Sequence, residues 1–237
     1  MAARENRNTI LQHLDTDTIQ RLDLHPVELP VRQEMQFPGK PVDQIYFIES
    51  GVGSMTVELV DGTQVEVSMF GYESMVGASA LMGATKSLNH VFMQIGGRGY
   101  ASGIESARRE FRRCERFHDL ALRYVQAQLT QSTQSTACNA RHGMEQRLAR
   151  WLLICADRAN TGDFAMSQEF LAEMLGSSRP TVTIAASGLK QEGLIDYSRG
   201  MIHVLDVKGL EAKACECYLV VKEHLDNIAE FDTGFVV

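Results

Sequence analysis

Between Ser167 and Leu205, hydroxyl, amide and guanidinium side chains gather where short apolar periods begin and end: Ser167, Gln168, Ser177, Ser178, Arg179, Thr181, Thr183, Lys190 and Arg199. Such groups are suited to recognition by hydrogen bonding. A guanidinium is a rigid two-donor fork that matches guanine O6 and N7, the commonest specific contact to a base pair in the major groove. Hydroxyls and amides beside helix N-termini suit phosphate oxygens, because the first N–H groups of a helix are unpaired and carry partial positive charge. Arg179 is therefore expected to read a base. Thr181 and Thr183 are expected on a thymine methyl or a phosphate, and Ser167, Gln168, Ser177 and Ser178 on phosphates. Lys190, Arg199 and His203 are weaker phosphate candidates.

The elements needed to present these groups can be read around them. Ser167 is a helix N-cap, followed by acidic residues in the first turns and an apolar stripe of Phe170, Leu171, Met174 and Leu175. Gly176 stops that helix, since glycine takes the left-handed C-cap conformation cheaply. Ser177 or Ser178 caps a second helix, and Pro180 fits its first turn. Val182, Ala185, Ala186 and Leu189 give it a buried face, and Gly193 ends it. Leu194–Tyr197 and Met201–Leu205 read as two strands around Ser198-Arg199-Gly200. Helix, glycine turn, helix and hairpin make a winged helix-turn-helix.

Upstream, short strands are expected from Val27 to Ile104, with turns at Pro38-Gly39 and Asp61-Gly62. That spacing suggests a small antiparallel barrel or jelly roll. Thr9–Leu24 reads as one helix before it. One proline- and glycine-free helix is expected over about Ser106–Cys138, with Phe111, Phe117, Ala121, Val125 and Leu129 on a seam that pairs with a second copy. A hinge is expected at Asn139–Gly143, a helix at Met144–Ala159, a loop at Asn160–Asp163 and a last amphipathic helix at Val207–Phe231. The expected fold is α+β: residues 1–105 a β-roll sensor, 106–138 a dimerisation helix, and 139–237 a winged helix-turn-helix domain.

This pattern resembles the Crp–Fnr superfamily of bacterial transcription regulators. The resemblance rests on Ser167-Gln168-Glu169, Leu171-Ala172, Leu175-Gly176, Ser178-Arg179, Thr181-Val182-Thr183, Leu189, Gly193-Leu194-Ile195, Arg199-Gly200, Ile202, Val204 and Leu210. In the barrel region it rests on Phe37 to Gly51, Asp61-Gly62 and Gly71 to Gly77. It implies a homodimer on an inverted-repeat site in double-stranded DNA, with RNA polymerase as a further partner. It also places Arg179 where relatives read guanine. Pro180 and Ile184 stand where many relatives carry a glutamate and an arginine, which implies a different operator.

The resemblance also implies an effector pocket at Gly77, Ala78, Ser79, Lys86 and Ser87, with Ser132 and Thr133 reaching it from the long helix. Cyclic-nucleotide binders of the superfamily hold ribose with a glutamate and phosphate with an arginine. Here Ala78 replaces the glutamate and no arginine precedes Ser87; Lys86 offers a point charge without the fork. Cyclic AMP dependence is not expected, and the small-molecule effector is not identified. Oxygen-sensing relatives use an N-terminal cysteine cluster, but residues 1–113 hold no cysteine. A haem-type role for His90 reads less well than a loop position. Cys215-Glu-Cys217 is short for a zinc site, and the hinge is expected to part Cys138 from His142. No cofactor or metal is expected.

Composition narrows the classes further. The formal charge of −7 is carried by the ends: residues 1–140 hold 13 basic and 16 acidic groups, 141–204 hold 7 and 7, and 205–237 hold 3 and 7. The recognition region is the least acidic part, so DNA affinity must come from several phosphate contacts and be salt-sensitive. No apolar run is long enough for a membrane span and no signal-peptide core is visible, so a cytoplasmic protein without membrane contact is expected. Five scattered cysteines fit reduced thiols better than a disulfide framework. No metalloprotease motif, Walker loop or nucleophile elbow occurs, and no enzyme is expected. The rival reading is a ligand- or thiol-regulated signalling module whose winged helix binds protein.

Overall fold

A computed structural model describes residues 7–230. Two short helices, α1 (Thr9–Gln12) and α2 (Thr16–Arg21), replace the single helix expected there. The cause is local: the Asp15 carboxylate caps α2 by accepting from Thr18 N–H, which restarts the helix.

The barrel follows. Its strands are β1 (His25–Leu29), β2 (Glu34–Gln36), β3 (Gln44–Glu58), β4 (Gln64–Phe70) and β5 (Met75–Val76), then the short helix α3 (Ala78–Leu81) and β6 (His90–Gly103). The antiparallel order is β1-β6-β3-β4, with β2 on β6 and β5 on β3. Two strands are longer than the short ones expected. β3 runs 15 residues and β6 runs 14, paired from Gln44↔Gly103 to Thr56↔His90 with register shifts near Ser50 and Val52. Glycine makes the crossing feasible: a Cβ on Gly97 would lie 1.9 Å from the Ser50 carbonyl oxygen.

The expected helix 106–138 is two helices, α4 (Ile104–Phe111) and α5 (Arg116–Arg141). Cys114 takes a left-handed φ of 56° between them. The corner is clamped by Glu110, buried beneath Arg21 at 2.7 Å with Arg113 at 3.6 Å. Phe111 therefore leaves the expected seam and stacks on His118, with ring centroids 4.6 Å apart. Phe117 and Ala121 are also corrected: both are buried, with Leu120 and Tyr124, against the protomer's own barrel beside Ile45, Phe47 and Met75. Their burial contributes about 1.5–3 kcal/mol for each large side chain. Val125 is half-buried, whereas Leu129 stays 64% exposed.

α5 ends at Arg141, so the break narrows to His142-Gly143. Then come α6 (Met144–Ala159), β7 (Asp163–Ala165), α7 (Gln168–Met174), α8 (Arg179–Gln191), β8 (Ile195–Ser198) and β9 (Met201–Val204). β7, which begins at the last residue of the expected loop, pairs with β9 in a sheet of order β7-β9-β8. The expected last helix is also two, α9 (Val207–Lys213) and α10 (Cys217–Asp226), parted at Ala214–Glu216; Phe231 lies outside the described residues. A second core gathers Leu148, Trp151, Leu152, Leu171, Val182, Leu189, Ile202, Leu210 and Tyr218. Val52 and Met69 of the barrel join it, while Val221 and Leu225 of α10 join the barrel core. Among the described residues, no helix is long and apolar enough to cross a membrane.

Candidate nucleic-acid interface

Each recognition residue is placed by a local device. Ser167 Oγ caps α7 by accepting from Phe170 N–H at 3.1 Å. Gly176, at φ 56°, turns the chain while Ser177 N–H donates back to the Ala172 carbonyl at 2.9 Å. Ser178 Oγ then caps α8, 3.4 Å from Thr181 N and 2.8 Å from Thr181 Oγ1. Val182, Ala185, Ala186 and Leu189 are buried on the second core. Helical periodicity consequently turns Ser178, Arg179, Thr181 and Ile184 outward, and all four are exposed.

Arg179 Nη1 lies 2.8 Å from Glu169 Oε1, with both side chains more than 60% exposed. An exposed pair of this kind is worth about 0–1 kcal/mol, so the fork can be given up to a better partner. Ser167, Gln168, Glu169, Arg179, Tyr197 and Gly200 line one shallow surface depression. Thr183 is half-buried, its hydroxyl 2.8 Å from Gln168 Oε1 and 2.9 Å from the Arg179 carbonyl. This locks α7 to α8 and turns Thr183 partly away from a ligand.

Lys190 points to β8 instead. Its Nζ is 2.6 Å from Asp196, whose carboxyl it holds below the usual range, and it donates to the Tyr197 carbonyl. His203 Nδ1 pairs with Asp163 at 2.7 Å. Arg199 is exposed at the tip of the β8–β9 hairpin; it and Gly200 both have positive φ, as mirror-image two-residue turns require. Sequence reasoning missed Glu169 as the partner of Arg179 and Tyr197 as a wall of the depression. Both are joined to it only by packing between α7, α8 and β8.

The second region is a cavity in the barrel. Gly77, Ala78, Ser79, Lys86 and Ser87 converge on a volume of about 120 Å³, with Gln36, Met55, Phe70, Leu88, Asn89 and Gln128. Ser132 and Thr133 do not line it. α5 contributes Gln128 instead, one turn earlier, while the Thr133 hydroxyl bonds back to the Leu129 carbonyl. Gln36 Nε2 is buried without a hydrogen-bond partner beside Ser87.

A buried polar network joins the barrel to the helix-turn-helix domain. Trp151 Nε1 donates to Glu66 Oε1 at 2.8 Å, and the Ser54 hydroxyl donates to Oε2 at 2.5 Å. Arg158 pairs with Glu73 at 2.8 Å and donates to Gln131 Oε1 at 2.8 Å; Gln131 in turn donates to Ser68. Burial pushes the Glu66 carboxyl up to about 7, against the lowering effect of its two donors.

One further constellation contradicts an expectation. Cys138 and His142 are not parted by the hinge, because α5 continues through it and His142 N–H donates to the Cys138 carbonyl. Cys215 and Cys217 meet them there.

The chain joins a β-roll, a connector helix and a winged helix-turn-helix. Residues 146–213 match the Crp-like helix-turn-helix domain family. The chain is 26% identical to the global nitrogen regulator of Nostoc sp. over 71% of its length and 79% of that protein. It shares the fold of a Crp/Fnr-family transcriptional regulator from Eubacterium rectale, with a TM-score of 0.69 at 17% identity, over 88% of this chain and 99% of that one. A CRP-family transcriptional regulator from Thermus thermophilus is similar at a TM-score of 0.66 and 20% identity, over 79% and 96% of the two chains. Residues 146–213 thus match a Crp-like helix-turn-helix domain, and the chain as a whole is similar to Crp/Fnr-type transcription regulators.

Proposed function

We propose that the protein binds an inverted-repeat operator as a homodimer and that α8 reads each half-site. The outward face of α8, with Arg179 in its first turn and its apolar side spent on the core, carries this reading. On DNA, Arg179 exchanges Glu169 for guanine O6 and N7. Ser167, Ser177 and Ser178 hold flanking phosphates, and Arg199 on the wing adds one more.

The pairing surface is the exposed stripe of α5 at Leu122, Gln126, Leu129, Thr133 and Thr136, whose alternating steps of four and three suit a coiled-coil seam. Pro180 and Ile184 give the operator a sequence of its own. Ala78 and the missing arginine before Ser87 support a regulator that works without cyclic AMP. Any effector acts by changing the balance between orientations at His142-Gly143. RNA polymerase is the proposed further partner, and the protein has no catalytic role of its own.

The test is footprinting on operators selected from random duplexes, alongside sedimentation of wild type and Leu129→Glu. Two protected half-sites about one helical turn apart, and a dimer weakened by Leu129→Glu, are expected. A single asymmetric half-site bound by a monomer contradicts the reading. A winged helix that selects no duplex at all favours a protein partner instead.

A further inference from the structure

The C-terminal end of α5 meets the linker between α9 and α10. There Cys138, His142, Cys215 and Cys217 each direct one donor atom to a common point, all four atoms lying within 4.8 Å of one another. Cys138 Sγ is 3.5 Å from Cys215 Sγ, and Cys217 Sγ is 3.5 Å from His142 Nδ1. All three cysteines are free thiols and buried.

A tetrahedral ion with metal–sulfur bonds of about 2.3 Å and metal–nitrogen bonds of about 2.0–2.1 Å sets ligand edges of about 3.5–3.8 Å. The observed spacings are already near those edges. A multi-iron cluster holds its ligands on separate metals and needs them further apart.

The surroundings point the same way. His142 Nε2 lies 3.3 Å from the Glu216 carboxylate, which holds the ring proton on Nε2 and leaves the Nδ1 lone pair facing the sulfurs. Metal-bound histidines generally carry such a carboxylate on the far nitrogen. Gln134 Nε2 donates to Cys217 Sγ at 3.1 Å. Arg150 acts electrostatically on Cys138, and its buried Nε has no hydrogen-bond partner. Three thiolates around a divalent cation leave one net negative charge, which that guanidinium offsets.

We infer that Cys138, His142, Cys215 and Cys217 form a binding site for one thiophilic divalent cation of the zinc class. Each cysteine binds as thiolate and releases its proton to water, and His142 binds neutral through Nδ1. Thiolate and imidazole donors disfavour magnesium and calcium, which require oxygen ligands. The ion ties the α5–α6 break to the α9–α10 linker, so its occupancy stiffens the hinge between sensor and recognition module. The site stands on its own donors and does not depend on whether the chain binds DNA.

The experiment is titration of reduced, chelator-stripped full-length protein with cobalt(II), followed by displacement with zinc. One equivalent per chain is expected, with sulfur-to-cobalt charge-transfer bands and intense tetrahedral d–d bands that zinc abolishes. Cys138→Ser and Cys217→Ser should each lose most of the charge-transfer intensity and weaken binding at least 100-fold. His142→Gln should keep the sulfur bands with a shifted d–d envelope, and Glu216→Gln should weaken binding about 10-fold. Cys114→Ser, an exposed thiol elsewhere, should change nothing, and circular dichroism of each variant checks its fold. Substoichiometric cobalt, bands without sulfur character or binding unaltered in the folded serine variants would overturn the assignment. So would a reduced protein that takes no metal and only forms a Cys138–Cys215 disulfide on oxidation.

Discussion

The two halves of α5 are held by opposite kinds of contact. From Phe117 to Ala127 the helix is fastened to the barrel by Phe117, Leu120, Ala121 and Tyr124, all within 1% of complete burial. From Gln131 to Arg141 its contacts are polar or sulfur-bearing: Gln131 with Ser68 and Arg158, Gln134 with Cys217, Cys138 with Cys215. Apolar contacts are non-directional and have no alternative partner worth taking, so the first half is permanent. Polar pairs can be exchanged at little cost when another partner arrives. The α8 surface follows the second rule, with Arg179 lent to Glu169. α5 is thus fixed to the barrel along its first half and carries exchangeable contacts along its second.

The sharpest break of this contrast is a truncation in the apolar half. Phe117→Ala should cost about 3–5 kcal/mol in urea unfolding while leaving the base preference of any bound operator unaltered. A loss below 1 kcal/mol would show that the first half is not the permanent one.

Next is pH. The Glu66 carboxyl has its folded pKa raised from about 4.5 to about 7, so the fold favours its protonated form. The stability this confers is complete below the unfolded pKa and is lost as pH rises through 7. Between pH 6 and pH 8 that amounts to about 1–1.5 kcal/mol. Glu66→Gln, which keeps an acceptor for Trp151, should remove this slope in urea titrations at the two pH values. An unchanged slope in the variant would place the titrating group elsewhere.

Smaller effects belong to the exposed pairs. Glu169→Gln frees Arg179 at the cost of an exposed ion pair, and should tighten operator binding about 2–5-fold in mobility-shift titrations. Weaker binding would mean that Glu169 orients Arg179 rather than competing for it. The smallest effect is at the wing: Arg199→Asn relieves a left-handed arginine and should raise stability by a few tenths of a kcal/mol. It should also flatten the salt dependence of DNA binding by about one phosphate contact.

The recognition module was legible because its signals are local. Ser167 and Ser178 cap, Gly176 and Gly193 stop, and Pro180 fits a first turn, each within one helical turn of what it controls. The corner at Arg112–Glu115 was not legible, since no glycine or proline marks it and its cause is a carboxylate clamped by Arg21, 89 residues away. The single long β6 was hidden because Gly97 and Gly99 interrupt its apolar pattern, whereas they serve a close crossing with β3. The cysteine and histidine donors come from segments 77 residues apart, and no spacing rule joins them. In the sensor, the loop from Gly77 to Ser87 was found from its glycines and hydroxyls. Gln128 was missed because the cavity lies one turn nearer the start of α5 than Ser132.

The most direct measurement is titration of wild type and Arg179→Ala against the selected operator and a set of duplexes substituted one base pair at a time. The variant is expected to lose about 1–3 kcal/mol on the cognate duplex and to become indifferent at a single guanine position in each half-site. A variant that keeps the full base preference, or loses affinity equally on every duplex, would show that Arg179 holds phosphate or protein structure and reads no base.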